Sequence, residues 1–189
     1  MKHAGIALIV LAAMAIMPVA AQDTKPTADA EPEFSNVFFG LVDGKLIPLE
    51  RQIASVHVKG GVLSGFSGFG ELSGPHSPVR FSHANNLQLI VKPLANENHD
   101  PNQDPDTIYH VREVKSKKKV REWLFGKVTA SHYYNRLGEG LLPVKWTKYG
   151  NQSLRVTLGS LPAGEYCASP LGQEVAEQRV VTVFCFGVD

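Results

Sequence analysis

Residues 164–189 read GEYCASPLGQEVAEQRVVTVFCFGVD and hold the chain's two cysteines, Cys167 and Cys185. In the last strand-like run, Val180, Phe184, Phe186 and Val188 fall on one side with Thr182 among them. Val181, Val183 and Cys185 fall on the other. A strand that is apolar on both faces belongs inside a sheet with cover on each side. In GEYCAS, Cys167 shares its face with Glu165 and Ser169, while Tyr166 and Ala168 point the opposite way. If the two cysteines share a face, Tyr166 and Ala168 lie on the side of Phe184 and Phe186.

Moving outward, the same period of two recurs. In ASVHVKG, Ala54, Val56 and Val58 alternate with Ser55, His57 and Lys59, the pattern of a half-buried strand. Two apolar runs flank Asp43-Gly44, a hairpin signal because a two-residue turn needs positive φ. Further strands read as VRFSH, LQLIVKPL, TIYHVREV, KKVREWLF, LLPVKWTKYG and SLRVTLGSL, most of them separated by turn residues. No segment carries a long amphipathic helical pattern, and 126–140 offers one helical turn at most. The reading is all-β: a single antiparallel β-sandwich, immunoglobulin-like or related, over residues 34–189.

The stretch GGVLSGFSGFGELSGPHSP invites a phosphate-loop or nucleophile-elbow reading and fails both. Ser73 stands where the dinucleotide fingerprint requires its third glycine, and Phe69 where G-x-S-x-G requires its last. The glycines read instead as bulges and tight turns between short strands, with Phe66, Phe69 and Leu72 as anchors.

The N-terminus has Lys2 and His3 before an uncharged, mostly apolar run to Met17, then Pro18 and the small residues Val19-Ala20-Ala21. This is the pattern of a secretory signal peptide over residues 1–21. The run is short of the roughly 20 residues that span a bilayer, so no transmembrane segment is expected after cleavage. Residues 22–33 are polar with two prolines and read as a disordered lead-in. Loss of residues 1–21 takes Lys2 and no acid, leaving 18 basic side chains against 18 acidic ones. That balance gives no general field for nucleic acid. In an oxidising compartment two cysteines allow one intramolecular bond, Cys167–Cys185.

Four features could carry chemistry. Asp100, Asn102, Asp104 and Asp106 alternate as in the first half of a calcium loop, but Pro105 replaces the turn glycine and Val111 the closing glutamate. A hydrated Asp/Asn/Pro turn needs no metal, and none is expected. Arg112, Lys115, Lys117 to Lys119 and Arg121 form a basic stretch that reads as a solvated hairpin turning at 116–118, held by Val111, Val114 and Val120. The histidines show no zinc spacing. His132, Tyr133, Tyr134 and Arg136 stand together in an expected loop, a composition suited to carbohydrate or protein contact. No catalytic residue and no cofactor are implied.

Taken together, GKLIPLERQ, SPVRF, VREVKSKKKVRE and the closing LPAGEYCAS…VFCFGVD are similar to a family of secreted bacterial proteins encountered especially in acidobacterial genomes. Chains of that family typically finish in a PGEYAL-like strand and FGVD. The resemblance covers most of the chain after residue 21, in short blocks. Ala163 departs from it where two prolines usually precede the glycine, and Cys167 stands where alanine is usual. It implies secretion and a β-rich fold, and brings no activity.

The resulting expectation is a periplasmic or secreted, non-enzymatic binding or structural module of the bacterial envelope, whose partner is an envelope protein or a glycan. The alternatives are a carbohydrate- or peptidoglycan-contacting domain using residues 131–136, and a hydrolase with an unrecognised site.

Overall fold

The computed structural model describes residues 30–61, 65–82, 86–94, 104–128, 133–135, 140–170 and 180–189. Its strands are β1 (Phe38–Val42), β2 (Lys45–Pro48), β3 (Glu50–Gly61), β4 (Gly65–Ser73), β5 (Arg80–Phe81), β6 (Gln88–Val91), β7 (Tyr109–Ser116), β8 (Val120–Val128), β9 (Tyr133–Asn135), β10 (Val144–Tyr149), β11 (Ser153–Leu158), β12 (Gly164–Pro170) and β13 (Val180–Val188). A 3-10 turn, Pro105–Thr107, precedes β7. The signal-peptide segment, residues 22–29 of the lead-in, and Asp100, Asn102, His132 and Arg136 lie outside the described residues.

The expected sandwich is corrected in its closure. Strands β12, β7, β8, β4, β3 and β13 hydrogen-bond in that order, and β13 returns to β12, so six antiparallel strands close into a barrel. Strand β5 adds in parallel to β13, and β9 adds to β8. The second layer is an antiparallel sheet in the order β10-β11-β6-β1-β2. Inward–outward alternation is common to sandwiches and barrels. It does not say which neighbour each strand takes, and closure is a matter of neighbours.

β13 shows why both its faces are apolar. Phe184, Phe186 and Val188 pack with Phe38, Leu89, Val91, Val156 and Leu158 of the five-stranded sheet. Val181, Val183 and Cys185 pack inside the barrel with Ala54, Leu72, Val114 and Trp123. Cys167 stands opposite Cys185 in the β12–β13 register, and the two form a disulfide. The same register sets Tyr166 against Phe186, their rings stacked at 5.5 Å, and Ala168 against Phe184. Burying one phenylalanine contributes about 1.5–3 kcal/mol, so β13 anchors two cores at once.

Turn chemistry follows the sequence at Asp43-Gly44, with φ of 48° and 74° and Val42 opposite Lys45. Within the glycine-rich stretch Gly60 and Gly61 end β3, and Gly65–Ser73 form the single strand β4, whose register shifts between Gly68 and Phe69. Gly70 is required there because a Cβ would collide with the Trp123 ring inside this narrow barrel. Leu72 is a buried anchor, whereas Phe66 is exposed.

Order also begins earlier than residue 34. The Glu31 carboxylate accepts from the backbone N–H of Asn151 at 2.5 Å and of Gln152 at 3.0 Å, and from the Ser153 hydroxyl at 2.7 Å. It thereby caps the β10–β11 turn. The lead-in reading stopped short because a lone glutamate among prolines carries no periodicity.

Candidate functional site

One end of the barrel is built from charge. Alternation turns Glu50 of β3, Arg121 of β8 and Glu165 of β12 inward, beside Cys167 and Cys185. Arg121 is 0% exposed. Its Nη1 and Nη2 meet the two Glu50 oxygens at 2.8 and 3.1 Å, a bidentate pair, and Nη1 lies 3.7 Å from Glu165 Oε2. Arg121 also donates to the carbonyls of Ser73 and Gly74, both at 3.2 Å. Burial pushes the Glu50 carboxyl upward, but the hydrogen bonds from Arg121 and Gln52 outweigh it and hold the group below its ordinary value.

Residues 74–79 cap this end. Gly74 donates its N–H to the Lys119 carbonyl at 3.0 Å, and the Ser116 hydroxyl donates to the Pro75 carbonyl at 2.7 Å. Ser77 donates its N–H to Glu165 Oε2 at 2.8 Å and its hydroxyl to the Cys185 carbonyl at 3.3 Å. The Glu165 side chain, 3% exposed, completes its shell with Arg80 Nη1 at 2.7 Å and His76 Nδ1 at 3.2 Å. Arg80 reaches on to Asp189, its Nε donating to Oδ1 at 2.7 Å. Hydrogen bonds to Asp189 and Glu165 raise the Arg80 guanidinium further above its ordinary value, and Arg80 in turn lowers the Asp189 carboxyl. Outside the cap lies an open basin of about 520 Å³, bordered by His76, Arg80, Lys115, Ser116, Glu165 and Asp189.

The basin has one pair of catalytic type, an exposed imidazole oriented by a buried carboxylate. Nucleophilic use of that pair requires a hydroxyl in reach of the ring. Ser116, the hydroxyl on the basin's border, donates to the Pro75 carbonyl, and Ser77, buried beneath the cap, donates to the Cys185 carbonyl.

A second polar cluster lies further along the lumen. Arg112 Nη2 and the Ser169 hydroxyl both meet His110 Nε2, at 2.9 and 3.0 Å. A guanidinium only donates, so Nε2 accepts and the ring proton sits on Nδ1. The Arg112 guanidinium also lies 5.4 Å from the Trp123 ring centre. The basic hairpin, whose charges the sequence places in solvent, therefore sends Arg112 and Arg121 into the barrel. Lys115 and Lys117 to Lys119 remain exposed.

Of the site residues named from the sequence, Cys167 and Cys185 are joined in the disulfide, and Asp100, Asn102, His132 and Arg136 lie outside the described residues. Asp104 caps the 3-10 turn, its Oδ1 accepting from Asp106 N–H at 3.1 Å, while Asp106 Oδ1 accepts from Trp146 Nε1 at 2.6 Å. Among the described residues, no group of three or more His, Cys, Asp or Glu side chains is placed to hold a metal ion. Tyr133 and Tyr134 lie in β9 rather than a loop, opposite Val128 and Lys127. The Glu50–Arg121–Glu165–Arg80 network was missed. Its signal was Glu165 on the cysteine face: a carboxylate sharing a buried face demands a buried cation.

Comparison with known proteins adds no relative: no protein-family model matches the chain, no protein of described function is similar to it in sequence, and no solved structure matches it.

Proposed function

We propose that the chain is an exported binding or structural module of the bacterial envelope and not an enzyme. The carrying observation is the use made of the polar groups at the capped end. The carboxylates and guanidiniums there are engaged in holding residues 74–79, and the buried Ser77 and bordering Ser116 hydroxyls are tied to backbone carbonyls. What remains is an open, mixed-charge basin suited to contact rather than turnover. The disulfide accords with an oxidising compartment, as does the signal-peptide pattern of residues 1–21. Among the described residues, no helix is long and apolar enough to cross a membrane. The family resemblance points the same way.

A glycan- or peptidoglycan-contacting role is the second reading, favoured by Tyr133 and Tyr134 on β9, which extends the barrel sheet beyond β8. The test is fractionation of expressing cells, followed by co-sedimentation of the purified protein with cell-wall polymer and a screen of ester, glycoside and peptide substrates. Recovery in the periplasm or medium without turnover supports the module. Turnover abolished by His76→Ala would replace it with a hydrolase. Loss of polymer binding in the Tyr133→Ala/Tyr134→Ala pair would select the glycan reading.

A further inference from the structure

The barrel wall is incomplete between β7 and β8. These strands pair only at Lys115–Glu122 and Ser116–Arg121. Further back, β7 turns to residues 140–142: Glu113 N–H donates to the Gly140 carbonyl at 2.9 Å, and Leu142 N–H to the Val111 carbonyl at 2.9 Å. A cleft of about 440 Å³ opens there, lined by Phe69, Lys115, Lys117, Glu122, Trp123 and Leu124. Its volume falls in the range of small-molecule sites.

The charges at this cleft are unevenly committed. Glu122 is clamped by Lys59 at 2.9 Å and by Lys117. Lys115 is exposed and, among the described residues, pairs with no carboxylate; Glu113 is the remaining acid at the rim. Trp123 is 5% exposed, and its Nε1 donor has no hydrogen-bond partner among the described residues. That nitrogen is closed off from the cleft, so Trp123 offers a ligand only its ring edge. Each aromatic ring already carries a cation, Lys59 5.0 Å from the Phe69 ring centre and Arg112 against Trp123. Neither ring is the open stacking platform that a sugar would use.

We propose that the cleft binds a small anionic amphiphile. Its apolar body lies along Phe69, Leu124 and the exposed edge of Trp123, and its carboxylate head group takes the Lys115 ammonium. The proposal rests on the binding-module reading and names a ligand class for it. The probe is decanoate below its micellar range, titrated by calorimetry into the unsubstituted protein and by fluorescence into Trp146→Phe, which leaves Trp123 as the sole indole.

Saturable binding with a change in Trp123 emission is expected. Lys115→Ala should weaken it by about tenfold, and a neutral amphiphile of equal chain length should bind about tenfold more weakly than decanoate. Non-saturable heats, an affinity unchanged in Lys115→Ala, or equal affinity for the neutral amphiphile would overturn the proposal. If decanoate fails while the protein still co-sediments with envelope polymer, the cleft assignment falls and the binding module stands.

Discussion

Glu165 Oε1 lies 2.7 Å from Arg80 Nη1, while Glu165 Oε2 accepts the Ser77 N–H at 2.8 Å, so one inward carboxylate of β12 pins the cap across the barrel end. Glu165→Gln preserves the shape and removes the charge that Arg80 and Arg121 face. Breaking a buried pair from one side costs about 3–5 kcal/mol. The expected result is a urea midpoint lowered by that amount at unchanged slope. Asp189→Asn, at the exposed end of the same chain of charges, should leave the midpoint nearly unmoved. A Glu165→Gln protein as stable as the parent would show that the cap does not depend on this charge.

The disulfide closes a loop of 18 residues in sequence separation. For a loop of this length the chain-entropy model gives about 3 kcal/mol. Cys167→Ala/Cys185→Ala should lose roughly that stability while keeping the parent's circular dichroism spectrum in buffer. Alkylation of both cysteines in the parent should require prior reduction.

Glu31 tests where order begins. Its carboxylate takes three donors from the β10–β11 turn, which lower its pKa, the Asn151 N–H most strongly. Hydrogen bonds to a charged group are worth about 1.5–3 kcal/mol when well placed. Partial exposure puts Glu31→Ala below that range, at about 1 kcal/mol by urea titration. Deletion of residues 22–33 should cost the same, whereas deletion of 22–29 should cost nothing.

Stability should fall at both ends of the pH scale. Glu50, Glu122 and Glu31 have carboxyls held below their ordinary value, so their contribution is present above the unfolded pKa, and acid removes it as pH drops below about 4.5. Burial pushes the Tyr109 phenol up to about 12. Its contribution is full below the unfolded value near 10 and is lost as pH rises from there to 12. Melting temperature against pH should give a plateau between these limits. A melting temperature that holds constant down to pH 3 would contradict the acid limb.

The strands themselves were legible because period-two alternation survives in each run, most plainly in β13. The inward positions of Glu165 and Ser169 could be read from their parity with Cys167. Barrel closure could not: the β7–β8 seam is two residue pairs long, and no alternation encodes a neighbour. Arg112 and Arg121 were hidden in a basic run, although Arg121 shares parity with Trp123 and Arg112 with Val114, which marks both as inward. The cleft depends on β7 leaving β8 for residues 140–142, a long-range choice with no local signature.

The account turns on β13 as the strand that closes the barrel onto β12 and roofs it with the second sheet. Deleting residues 184–189 removes Phe184, Cys185 and Phe186 together, and with them the whole β12–β13 register and the β5 pairing. A domain has only about 5–15 kcal/mol of stability to lose. Limited proteolysis with circular dichroism on this truncation is the most direct test. An unfolded, rapidly degraded chain is predicted; a folded, protease-resistant product would contradict the closed barrel.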